Sequence, residues 1–137
     1  MSCILIAEDD PHILRLISLW LTRQGHEVHE ARNGLLAHDF ISQTMVDVLV
    51  SDINMPGMDG LELIDYVLKE GRVRAGVVVL TNRWDHGDIR DSLSQRGVHV
   101  LPKPFSPSKL SELIESLATA SQVPAAAAEP DADIRGS

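Results

Sequence analysis

VLVSDINMPGMDG, residues 48–60, begins as an apolar run and stops at a carboxylate. A run with no polar alternation reads as a β-strand covered on both faces, which is the habit of parallel sheets. Asp52 stands where the strand ends, and Asn54, Pro56, Gly57 and Gly60 after it are turn residues. On this stretch alone, Asp52 could simply hydrogen-bond the turn or cap the next helix. It could equally be a group that must be reached from outside.

Working outward, short apolar runs alternate with amphipathic stretches. Strands are expected at Cys3–Ala7, Glu27–Glu30, Val46–Ser51, Gly76–Leu80 and Val98–Leu101. Helices are expected at Pro11–Gln24, Gly34–Ser42, Leu61–Glu70, Asp88–Arg96 and Pro107–Ala120, with Gly25, Gly71 and Gly97 as stops and Ser106 as an N-cap. Five strand–helix units in succession predict an α/β domain, a doubly wound (βα)5 three-layer sandwich with right-handed crossovers. Residues 1–121 form this domain. The Ala-, Pro- and acid-rich residues 122–137 have no apolar period and read as a tail or linker.

Composition narrows the function. The chain has 137 residues, 44% of them hydrophobic, enough for one domain with a real core. A formal net charge of −8 argues against nucleic acid, which requires a basic face. No apolar stretch approaches the ~20 residues of a membrane-spanning helix, and Met1 leads straight into a strand without a signal peptide, so a cytoplasmic location is expected. Cys3 is the single cysteine and reads as a packed, reduced thiol. The six histidines have no metal-ligand spacing, and His26 and His29 read as structural or surface residues.

In open parallel sheets, sites form outside the carboxyl ends of the strands. There this chain places Glu8, Asp9 and Asp10 after strand one, Asp52 after strand three, Thr81 and Asn82 after strand four, and Lys103 after strand five. Singly, each has an ordinary role: the acids as caps for the helix opened by Pro11, Thr81 as a strand end, Lys103 as a solvated cation. Together they form an edge of carboxylates, and each pair at ~4 Å costs about 4 kcal/mol at an effective dielectric near 20. Such an edge calls for a cation, and oxygen-only ligands favour Mg²⁺ or Mn²⁺ over zinc. Lys103 and Thr81 add the positive charge and hydroxyl that a phosphoryl group needs. A central carboxylate can itself be the nucleophile.

At this point the chain resembles the receiver domain of two-component response regulators, in the style of a single-receiver chemotaxis regulator. The resemblance covers roughly residues 2–121 and rests on EDD (8–10), SDINMPGMDG (51–60), LTN (80–82) and KPF (103–105), in that order. It implies a flavodoxin-like sheet of order 2-1-3-4-5 and phosphorylation of Asp52 by a histidine kinase or histidine phosphotransfer protein. It further implies Mg²⁺ on the side chains of Asp9 and Asp52, on the backbone carbonyl of Asn54, and on Glu8 through water. Thr81 and Lys103 would hold phosphoryl oxygens, the Lys103–Pro104 bond would be cis, and Asp10 and Pro11 would start a helix. The protein would act as a phosphorylation-dependent switch or relay intermediate rather than as an enzyme, with a downstream output protein or domain that the sequence does not name.

Two positions depart from the family pattern. Asn82 stands where a small residue is usual in the family; the resemblance implies that it would lie beside the phosphoryl position, with Arg83 and Asn54 flanking the path of attacking water. Val100 stands where an aromatic ring usually turns inward, while alternation points His99 the other way. A stiff, small Val cannot be that lever, so signal is expected to travel through residues 82–87, where Trp84 is the one large side chain. On the first helix, Ile13, Leu14, Leu16, Ile17, Trp20 and Leu21 form an apolar arc. Leu19 lies outside it, and with Leu16 and His12 it forms an expected docking face for the phosphodonor. Other readings are an adaptor that binds without phosphorylation, and the amino-terminal receiver of a longer regulator. An aspartyl phosphohydrolase would place a second Asp where Asn54 stands, and a flavodoxin-like cofactor binder would need a phosphate loop that strand one lacks.

Overall fold

The computed structural model describes residues 2–53, 58, 60–81, 91, 93–103 and 105–122. Its strands are β1 (Cys3–Ala7), β2 (Glu27–Ala31), β3 (Val46–Asp52), β4 (Val73–Thr81) and β5 (His99–Pro102). Between and after them come α1 (Pro11–Arg23), α2 (Gly34–Gln43), α3 (Gly60–Glu70), the helical residues 91 and 93–95 of α4, and α5 (Pro107–Gln122). All strand pairs are parallel, and the sheet order is β2-β1-β3-β4-β5. The expected doubly wound α/β sandwich is therefore the observed fold.

Apolar runs suit this sheet because each strand feeds two cores. Ile4, Ile6, Val48, Val50, Val78, Leu80 and Leu101 join Leu14, Ile17 and Leu21 of α1 and Leu110 and Ile114 of α5. Leu5, Ala7, Leu49, Val77 and Val79 join residues of α2 and α3 on the other face, with Leu93 of α4. Val100 is half-buried against this second core, and His99 is exposed. That is the expected alternation along β5. Gly25, Gly71 and Gly97 take positive φ, which an L side chain resists, and so end three helices.

The first of two corrections concerns β4. It starts at Val73 rather than Gly76, since Val73 pairs with Val46 beyond a register shift. The two arginines that flank Val73 find partners: Arg72 Nε donates to the Ile41 carbonyl at 2.8 Å, and Arg74 meets Asp47 at 3.5 Å. The second concerns α1. Leu16 is 50% exposed, hardly different from Leu19 at 49%. The helix buries only Leu14, Ile17 and Leu21 fully, and Leu16 lies past the flank held by Ile13 and Trp20.

One contact binds α3 to the end of β3. Gly60 N donates to the Ile53 carbonyl at 2.7 Å, and a Cβ on Gly60 would collide with the Asp52 carbonyl and the Ile53 Cα. Because the obstacle is backbone, relief requires moving the strand end that carries Asp52. Gly60→Ala is expected to cost about 1–3 kcal/mol, as overpacking does elsewhere, read as a lower urea midpoint with an unchanged m-value.

Candidate functional site

The site is built at the carboxyl edge of the three strands β1, β3 and β4, with the turn after β5 closing over it. Glu8 follows β1 directly and is fully buried, and Asp52 is the last residue of β3 and nearly so. Asp10 is the N-cap of α1: its Oδ1 accepts from His12 N at 2.9 Å and from Ile13 N at 3.4 Å, and Pro11 takes the first helical position. The role of helix starter expected for Asp10 and Pro11 is what the structure has. Asp10 N in turn donates to Glu8 Oε2 at 3.1 Å, so the cap also orients the buried acid.

Lys103 enters from the turn after β5. Its backbone N donates to the Thr81 carbonyl at 2.6 Å, which fixes the turn against the end of β4. Its ammonium lies 2.9 Å from Glu8 Oε1 and 3.3 Å from Asp52 Oδ2. One cation thus serves two buried carboxylates, and Thr81 is buried at the same edge. Carboxylate oxygens of Glu8, Asp9 and Asp52 all lie within 4.8 Å of one another, with Asp9 exposed to solvent. Three oxygen donors without sulfur or imidazole suit a hard divalent cation, so the residues present fit a metal of the Mg²⁺ type.

Burial dominates the electrostatics. It pushes the Glu8 carboxyl from its ordinary 4.5 to about 7, against the pull of Lys103 and the Asp10 N–H. Burial alone would lower the Lys103 ammonium, but Glu8 and Asp52 outweigh it and raise its pKa. The edge therefore has one carboxyl poised near neutrality beside a firmly held cation.

The structure brings together Glu8, Asp9, Asp52 and Lys103, with Thr81 buried at the same edge. Asn54, Asn82, Arg83, Trp84 and the Lys103–Pro104 bond concern residues 54, 82–84 and 104, which lie outside the described residues. A cleft of about 590 Å³ runs along the β5 edge, lined by Ser94, Val98, Val100, Lys109 and Leu113 among others. None of the site carboxylates lines it. One grouping escaped the linear reading. The histidines have no ligand spacing along the chain, yet Cys3, Glu27 and His29 place their ligand atoms within 4.8 Å of one another. Only the pairing of Cys3 with Glu27 across β1 and β2 discloses it. Cys3 is partly, not fully, buried there.

A carboxyl whose folded pKa lies above its unfolded value binds an extra proton in the native state, so its stability contribution is complete below the lower value. It is lost as pH rises through the higher one. Metal-free wild type should therefore lose stability relative to Glu8→Gln as pH rises from about 4.5 through about 7. Paired urea titrations in a chelator at several pH values will read this, and a constant difference between the two proteins would contradict the assignment.

Comparison with known proteins agrees with this geometry. The family model of the response regulator receiver domain matches residues 4–115. The chain is 34% identical over 117 residues to a chemotaxis protein CheY homolog of Campylobacter jejuni, covering 83% of this chain and 90% of that protein. It is 35% identical over 104 residues to the response regulator GtcR of Aneurinibacillus migulanus, covering 76% of this chain but only 42% of that longer relative. Among solved structures, CheY4 of Vibrio cholerae superposes with a TM-score of 0.76 at 27% identity, covering 85% of this chain and 98% of that one. The receiver domain of a Syntrophus aciditrophicus histidine kinase gives 0.79 at 29%, covering 90% and 95%. With its buried acidic edge, its bridging lysine and its 2-1-3-4-5 sheet, the chain belongs to the response regulator receiver domain family of two-component signalling.

Proposed function

We propose that this receiver accepts a phosphoryl group on Asp52 from a phosphohistidine donor, with Mg²⁺ (or Mn²⁺) held by Asp9, Asp52, the Asn54 carbonyl and, through water, Glu8. The observation that carries this reading is the single ammonium of Lys103 set between Glu8 and Asp52 at 2.9 and 3.3 Å. Attack brings an anionic phosphoryl group to an already acidic edge, and an adjacent fixed cation offsets that charge. A carboxylate oxygen of Asp52 attacks phosphorus, the nitrogen–phosphorus bond of the donor breaks, and its electron pair leaves with the imidazole. Lys103 then turns from carboxylates to the incoming phosphoryl oxygens, and the Thr81 hydroxyl donates to another. A bound divalent cation would offset the charge of the acidic edge and of the phosphoryl oxygens.

Acetyl phosphate is an adequate stand-in for the donor. Intact mass should show one added phosphoryl group on wild type with Mg²⁺, little without the metal, and none on Asp52→Ala. Equal labelling of that variant would remove Asp52 from the role. Lys103→Met should remain labelled far more slowly than wild type, since it leaves the developing charge uncompensated.

The donor's docking face in this reading is the exposed side of α1, where Leu16 and Leu19 are each about half exposed and His12 lies next to the cap of the acidic edge. Leu19→Glu should slow transfer from a phosphohistidine protein by about tenfold or more while leaving acetyl phosphate labelling unchanged, a loss of roughly 1.4 kcal/mol. The difference between those two rates separates docking from chemistry. Downstream, the signal passes to its output through the segment 82–87, where Asn82, Arg83 and Trp84 tune the lifetime and readout of the phosphoryl group.

A further inference from the structure

The opposite end of the sheet carries a second group of ligand-type side chains that the acidic edge does not use. Cys3 opens β1, and its register partner on the edge strand β2 is Glu27, with His29 two residues on and on the same face. Glu27 Oε2 lies 2.7 Å from His29 Nε2 and 3.8 Å from Cys3 Sγ. Ligand atoms around a tetrahedral zinc stand roughly 3.3–3.7 Å apart; all three ligand atoms here lie within 4.8 Å of one another, so side-chain adjustment alone can gather them round one ion. The imidazole is already oriented, because its ring packs on Phe40 of α2 with centroids 4.6 Å apart.

From this juxtaposition we propose that Cys3, Glu27 and His29 form a zinc-binding site at the amino end of β1 and β2, with water as the fourth ligand. A thiolate and an imidazole select a borderline-soft ion over Mg²⁺, which distinguishes this site from the all-oxygen edge around Asp52. Binding releases the thiol proton, and the neutral imidazole ligates through Nε2 with its single proton on Nδ1, the metal replacing the contact between His29 and Glu27. The local charge favours a cation. Glu27 and Asp47 both stand beside Cys3, and the Asp47 carboxylate accepts the Cys3 N–H at 2.8 Å. Arg74 opposes this only from the far side of Asp47, at 3.5 Å from its other oxygen. The ion would clamp the edge strand to its neighbour through side chains, where the backbone ladder ends.

Cobalt(II) is the probe, because a cobalt–thiolate bond gives a near-ultraviolet charge-transfer band that carboxylate ligation does not. Titration of the full chain in excess Mg²⁺ should produce this band at one equivalent, and Zn²⁺ should abolish it. The band should be absent from Cys3→Ser, and cobalt should bind at least tenfold more weakly to Glu27→Gln and to His29→Gln. Both of these are substitutions on an edge strand, with folding checked by circular dichroism. Asp52→Asn should keep the band unchanged, which separates this site from the phosphoacceptor. No band in wild type, or a band insensitive to either Glu27→Gln or His29→Gln, would overturn the proposal.

Discussion

Two carboxylates pressed into a protein interior are a liability, and here one ammonium is shared between them while burial favours the protonated form of Glu8. Glu8 and Asp52 stand at the carboxyl ends of the adjacent strands β1 and β3, while Lys103 comes from beyond β5 on the sheet's far edge. The lysine must reach across the end of β4, so the register of three strand pairs decides whether its charge arrives. Taking away one partner of a buried ion pair typically costs 3–5 kcal/mol, because the other charge is left stranded. The site and the sheet are therefore not separable.

Backbone contacts supply the rigidity that this arrangement needs. Asp10 caps α1 and at the same time presents its own N–H to Glu8. Gly60 lets the start of α3 lie against the strand end that bears Asp52. The Lys103 N–H is tied to the Thr81 carbonyl, so the lysine and the threonine keep a fixed relation whatever their side chains do. Each residue of the edge is thus held by the element next to it rather than by a loop of its own.

Much of this was legible because parallel strands write themselves as apolar runs and deliver the residues at their carboxyl ends to one edge. Asp52, Glu8, Thr81 and Lys103 could be assembled from that rule alone. Other features depend on distances that a linear reading lacks. The start of β4 was obscured by Arg72 and Arg74, whose charges look like a turn until Ile41 and Asp47 are seen to receive them. Leu16 belongs to an apolar arc on a helical wheel, but the wheel does not say where the sheet stops covering it. The total burial of Glu8 was hidden because an acid next to Asp10 and Pro11 looks like a second cap. The meeting of Cys3 with Glu27 and His29 depends on strand register, which a separation of 24 positions along the chain does not reveal.

The contact between Lys103 and Glu8 spans 95 residues of chain. During synthesis, β1, β3 and β4 all emerge before the lysine that balances their acids. A nascent chain that pairs these strands early would bury Glu8 and Asp52 without a counter-charge, and contacts of such long sequence separation form slowly in any case. The order of translation therefore favours leaving the acidic edge open to water until β5 and its turn have left the ribosome. The last of the described strands to be made leads to the cation that meets the acid following the first.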